Sequence, residues 1–64
     1  MSPHELDEKI KRLILSVKNN LITKRKAINS LLAHKEDGFS TTDQSIHNHM
    51  VKKIDHAVEV LNRF

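Results

Sequence analysis

Five histidines in a chain of 64 residues raise the question of a metal before any other. Their spacing answers it. His47 and His49 are two apart, so on a helix they point about 160° away from each other and share no ion. His49 and His56 lie on one face but two turns apart, about 10 Å, too far to chelate together. His4 and His34 have no Asp, Glu or Cys at a spacing that closes a four-ligand set, and the chain has no cysteine. His47 falls at the edge of an apolar face, where a half-buried ring is the ordinary case. The reading is structural or solvent-facing histidines and no metal, with a pH-sensitive contact as the remaining option.

Nucleophilic catalysis needs a nucleophile, a base and an orienting group converging in a concave site. Ser and His are both present, but a chain that reads as two helices has no cleft in which to gather them. Asp37 and Asp43 flank a turn and read as turn and cap residues. Gly38 is the only glycine, so no phosphate-cradling loop exists. No catalytic residue, no cofactor and no small-molecule substrate are expected.

The basic residues are more informative. Residues 1–10 sum to −2, residues 11–26 to +6, residues 27–46 to −2 and residues 47–64 to +1. In the second block Lys11, Lys18 and Arg25 repeat every seven residues, a ridge of the kind that flanks the seam of a helical bundle and selects partners. Lys24, Arg25 and Lys26 form a cluster. Three readings follow: a solvated interface rim, attraction to an acidic protein, or phosphate contacts with nucleic acid. Against the last, Arg12, Lys24 and Lys26 scatter round the helix. Trp and Tyr are absent and Phe occurs twice, so stacking platforms for bases are scarce.

The elements that position these residues are helical. Ser2-Pro3-His4-Glu5 reads as an N-cap serine, proline at the first helical position and glutamate two residues on, and the acids that follow suit the helix dipole. At 100° per residue Leu6, Ile10, Leu13, Ile14, Val17, Leu21, Ile28, Leu31 and Leu32 fall on one stripe. The stripe keeps its phase past Asn19-Asn20, which predicts one helix over about 3–36. Asn19, Asn20 and Thr23 are weak helix formers, so a break near 19–23 is the alternative. Gly38 ends the segment. Ser40 or Thr42 then caps a second helix over about 43–63, with Asp43 completing a capping box behind Ser40. Ile46, Met50, Ile54, Ala57, Val58, Leu61 and Phe64 line its inner face, Met50 and Phe64 as core residues near its ends. The fold class is all-α, a helical hairpin forming one domain, 1–64, that associates into a bundle.

Lengths carry this to function. A helix over residues 3–36 runs about 50 Å and one over 43–63 about 31 Å, so the short arm leaves the start of the long one bare. Leu6, Ile10 and Leu13 would then form an exposed apolar patch. If the chain breaks near residue 20 the first segment folds back, but so small a core remains weak. Both versions point to a partner, a larger helical protein or a second copy. Leu6, Ile10, Leu13, Ile14 and Val17 form the expected contact surface, with Lys11, Lys18 and Arg25 at its rim. Leu15 and Ile22, one heptad apart, read either as scattered exposed residues or as a second, narrower seam. No run approaches the ~18 apolar residues of a membrane span and no secretory leader is apparent, so a soluble cytoplasmic protein is expected. The competing reading is a dimeric nucleic-acid-binding regulator that uses the basic ridge.

The second half resembles a known family in layout. A helix ending near Gly38, a short polar turn, and a closing helix with Ala57-Val58-Glu59-Val60-Leu61 look like the small co-chaperones of the type III secretion needle subunit. The early Leu6-Asp7…Ile10 step is similar too. The resemblance implies a cytoplasmic helical protein that pairs with a larger helical-repeat chaperone and keeps needle subunits from polymerising early. The Ile46-His47-Asn48-His49 stretch gives a second resemblance, to plasmid-encoded RNA-binding hairpin dimers.

Overall fold

Helix α1 (Pro3–Lys18) starts where its residues demand. The Ser2 hydroxyl accepts the Glu5 N–H at 3.2 Å, and Pro3 occupies a position where its missing N–H costs nothing. The computed structural model describes residues 2–39 and 41–64, and over them the chain is all-helical. The order is α1, α2 (Lys24–Asp37) and α3 (Gln44–Asn62), each packed on the other two.

The N-terminal arm is therefore two helices, and the expected unbroken run over 3–36 does not form. Its hydrogen bonds explain the stop. Asn20 takes a left-handed backbone, φ 59°, a conformation that asparagine tolerates better than most side chains. The Asn20 N–H then bonds the Val17 carbonyl at 3.1 Å and the Leu21 N–H bonds the Ser16 carbonyl at 2.8 Å. That pair of bonds is the Schellman arrangement, with Asn20 where glycine usually stands. Three residues later Thr23 caps α2, its hydroxyl accepting the Lys26 N–H at 3.1 Å. A stop and a start within five residues outweigh the continuity of the stripe. Nor does the stripe keep its phase in space. The inward positions of α2 are Ala27 and Leu31, while Leu32 is exposed.

Gly38 closes α2 as expected, at φ 77° and ψ −177°, a region open essentially to glycine alone. The cap of α3 differs from expectation. Asp43 does the work, its carboxylate accepting the N–H groups of Ser45 at 2.9 Å and Ile46 at 3.3 Å. An ionised carboxylate is a stronger acceptor than a hydroxyl and also suits the dipole, which is why it displaces Thr42. The other expected cap, Ser40, lies outside the described residues. Thr41 supports the turn, its hydroxyl accepting the Asp43 N–H at 3.2 Å.

The core runs along the axis where the three helices meet. Leu6 comes from α1, Ala27 and Leu31 from α2, and Met50, Ile54, Ala57 and Leu61 from α3, with Phe39 closing one end. Ala27 and Ala57 are the small residues of this set. Partly buried Ile10, Leu13, Ile14, Val17, Ile22, Ile28, Val51 and Val58 pack around it. Two ion pairs tie the outer surfaces together, Asp7–Lys53 at 2.7 Å between α1 and α3 and Lys35–Asp55 at 2.8 Å between α2 and α3. Exposed pairs of this kind fix register more than they stabilise. Taken with the Lys24–Phe64 contact and the place of Val17 and Lys18 beside Phe64, they give direction: α1 and α3 run the same way and α2 runs against both. The Cα trace measures 36 × 17 × 16 Å along its principal axes.

Candidate functional site

The structure does not leave bare the stripe expected as a contact surface. Leu6 has no exposed surface and sits in the core. Ile10, Leu13, Ile14 and Val17 are half-buried and pack against that core. The expectation that Leu6, Ile10 and Leu13 lie bare assumed a helix too long to be covered. With the chain turned at Asn19–Thr23, α2 and α3 cover α1 within one molecule. The argument for an obligate companion based on that stripe therefore falls. The basic ridge is divided as well. Lys11 and Lys18 remain on α1, but Arg25 lies in the first turn of α2, on a helix running the opposite way.

The groups considered for chemistry stay apart. Among the described residues no group of three or more His, Cys, Asp or Glu could hold a metal ion. His47 is half-buried, as its place on the helix suggested, and its ring meets that of Phe39 with centroids 5.4 Å apart and planes tilted by 59°. Phe39 falls in the short connection between Asp37 and Asp43, which reads as polar. Instead it is 97% buried (3% exposed) and plugs the core at the α2–α3 turn. The available signal was an aromatic residue, one of two in the chain, directly after the only glycine.

A different feature stands out at the opposite end. Where α1 stops and α2 begins, Val17, Leu21 and Ile22 face Phe64 across an open cleft of about 640 Å³. The size is that of a site for a small molecule or a few side chains. Leu21 is 74% exposed and Phe64 46%. Both lie just beyond a helix. Leu21 directly follows the left-handed Asn20 and stays exposed, although a residue in that place frequently packs back on the helix. Phe64 lies past Arg63, the C-cap of α3. Both positions had been assigned to apolar faces of helices, Phe64 as a core residue, and that assignment fails because the helices end before reaching them. Ile22, by contrast, packs on the core and lines the cleft, so Leu15 and Ile22 form no shared seam. Leu15 stays 56% exposed, one turn before Lys18 on the same side of α1.

The cleft is rimmed by cations. Lys18 and Lys24 line it, and the Lys24 ammonium donates to the Phe64 backbone oxygen at 3.4 Å. Arg25 and Lys26 follow in the first turn of α2, which holds no acidic residue. The other end is richer in acids, with Glu5, Asp7 and Glu8 at the start of α1, Glu36 and Asp37 at the end of α2 and Asp43 before α3, among which Lys9, Lys35 and Lys53 also stand. The molecule is thus polarised along its length, with its open apolar cleft at the positive pole. A smaller groove of about 480 Å³ runs along α1 over Glu5, Lys9, Arg12, Leu13 and Ser16. Among the described residues no helix is long and apolar enough to cross a membrane.

Comparison with protein-family models, with curated proteins and with solved structures returned no match. The bundle and its polarised cleft therefore have to carry the functional reading by themselves.

Proposed function

We propose that this chain is a small non-enzymatic protein-interaction module whose contact surface is the cleft between the α1–α2 corner and Phe64. One observation carries the reading: the core closes without Leu21 and Phe64, yet both are held beside each other in a single concavity. Apolar residues exposed singly are normal, whereas grouped ones rimmed by polar groups mark interfaces. The concave shape favours a partner that inserts side chains, such as one face of an amphipathic helix. Lys18 and Lys24 form the rim, so part of the basic ridge keeps the role given to it on sequence grounds. A co-chaperone of the kind the sequence resembles would be one such module, working in the cytoplasm on a helical partner.

The test is a titration of isotope-labelled protein with three amphipathic helical peptides sharing one Leu/Phe face and differing in their polar face, acidic, neutral or basic. Amide shifts centred on Val17–Lys24 and Phe64 with at least one peptide are expected, and they should vanish in Leu21→Ser/Phe64→Ser. No response to any of the three removes the cleft from consideration. The runner-up, nucleic-acid binding, draws on the Lys24-Arg25-Lys26 cluster. It requires binding to RNA or duplex DNA that falls steeply with salt and is lost in Lys18→Ala/Arg25→Ala.

A further inference from the structure

The charge around the cleft narrows its occupant. Resting on the reading above, we infer that the cleft takes an acidic amphipathic segment of another protein: large apolar side chains enter between Leu21 and Phe64, and carboxylates meet Lys18 and Lys24. The complementarity is local and global together. Lys18 and Lys24 line the apolar floor, and Arg25, Lys26 and Arg63 surround the same end of the bundle. Of these, Arg63 is engaged by Glu59 at 2.8 Å. Lys24 donates to the Phe64 backbone oxygen at 3.4 Å, and among the described residues no Asp or Glu pairs with Lys18 or Lys24. The acids at the far pole make the field directional, so an acidic segment is steered toward the cleft and a basic one away from it.

Other anionic partners fit less well. A lipid surface is met by protruding apolar side chains, whereas here they border a recess. Single-stranded nucleic acid uses several aromatic platforms, and Phe64 is the one aromatic residue lining the cleft. A second copy could present its own acidic pole, but two of those acids are occupied. Asp7 is held by Lys53 and Asp43 caps α3. The large apolar residues exposed toward that end are Ile46, 39% accessible, and Leu32, 40%, on different helices. A bundle about 17 × 16 Å in cross-section also offers an end face well short of the ~800 Å² per partner of a stable interface. A segment from another protein has no such limit. It can continue from the cleft along α1 past Leu15 and Lys11.

Fluorescence anisotropy with the same three labelled peptides tests this at two salt concentrations. Two new ion pairs at a partly desolvated rim correspond to about ten-fold in affinity. The acidic peptide should therefore bind about ten-fold more tightly than the neutral one, the basic peptide should bind most weakly, and raising salt should narrow the spread. Lys18→Glu/Lys24→Glu, both at exposed positions, should reverse the order, while unchanged helical circular dichroism confirms the fold. Equal binding of acidic and neutral peptides overturns the inference and leaves the cleft as an apolar docking site. Absence of all binding removes the cleft reading itself. Anionic vesicles or a single-stranded oligonucleotide that displace the acidic peptide at lower concentration would reassign the site. So would salt-sensitive self-association of the protein alone that disappears in Leu21→Glu.

Discussion

Truncating Leu6 to alanine separates a buried α1 from an α1 whose apolar face awaits a partner. Leu6 has no exposed surface and is the one fully buried residue that α1 contributes to the core. Removing its isobutyl group costs roughly 2–5 kcal/mol, depending on how far the site collapses. The whole fold has little more to lose, since the core of a chain this size rarely supplies more than ~3–5 kcal/mol. With a urea slope of about 1 kcal/mol per molar, Leu6→Ala should shift the unfolding midpoint by about 2 M or more. That leaves a substantial unfolded fraction without denaturant. Leu21→Ala, at a residue 74% exposed, should stay within about 0.5 kcal/mol of the parent. Urea melts followed by helical circular dichroism, at several protein concentrations, measure both. If Leu6→Ala melts with Leu21→Ala, α1 is not docked on α2 and α3, and its apolar stripe is free after all.

Three further perturbations probe the ends and seams of the bundle. Asp43→Ala removes the acceptor for two N–H groups of α3 and should lower stability by about 1 kcal/mol, with Asp43→Asn recovering most of it in the same urea assay. Gly38→Ala should cost about 1–3 kcal/mol from backbone strain alone, because an added Cβ meets nothing within 4 Å. A Gly38→Ala variant as stable as the parent would mean that the turn relaxes to a negative φ. The Asp7–Lys53 pair makes stability pH-dependent: the Lys53 hydrogen bond and charge hold the Asp7 carboxyl below its usual range. A depressed folded-state pKa means that the contribution is present above the unfolded value near 3.9. It is lost as pH falls through the lower folded value. Thermal melts between about pH 6 and pH 3 should therefore show a smaller drop in Asp7→Asn than in the parent, and identical drops would show that the pair is absent in solution.

How much of this was legible in the sequence depends on whether a residue acts locally. Ser2 acts through its hydroxyl on the adjoining turn, Pro3 and Gly38 through their own backbone, and each stands where its type implies. The inner face of α3 was also legible in its middle, since Met50, Ile54, Ala57 and Leu61 recur at three and four residues and all four are buried. The N-terminal arm was harder because two local signals disagreed. Periodicity ran on through Asn19-Asn20, while the propensities of those residues and the cap at Thr23 opposed it. Periodicity proved the weaker guide because a phase carried across a gap of five residues constrains little. Ala27 shows the same difficulty: alanine gives a small apolar signal, and only packing makes it an inward position in place of Ile28 or Leu32. Phe39 is a third case, an aromatic side chain that reaches the core from a turn, which no helical pattern can register.

The candidate site was illegible for a related reason: it is made by endings. Leu21 follows the residue that stops α1, Phe64 follows the cap that stops α3, and the two meet because α1 and α3 run in the same direction. Counting eleven residues on from Asp7 and from Lys53 arrives at Lys18 and Phe64, both lining the cleft. The ion pair at one level of the bundle thus shares its register with the meeting of the two helix ends a few turns away. Lys24 joins them because α2 must start where α1 stops. Three positions that look unrelated in the sequence become neighbours through the lengths of the helices, and residues added to α1 or α3 would carry Leu21 and Phe64 out of register. The cleft depends on those lengths as much as on its side chains.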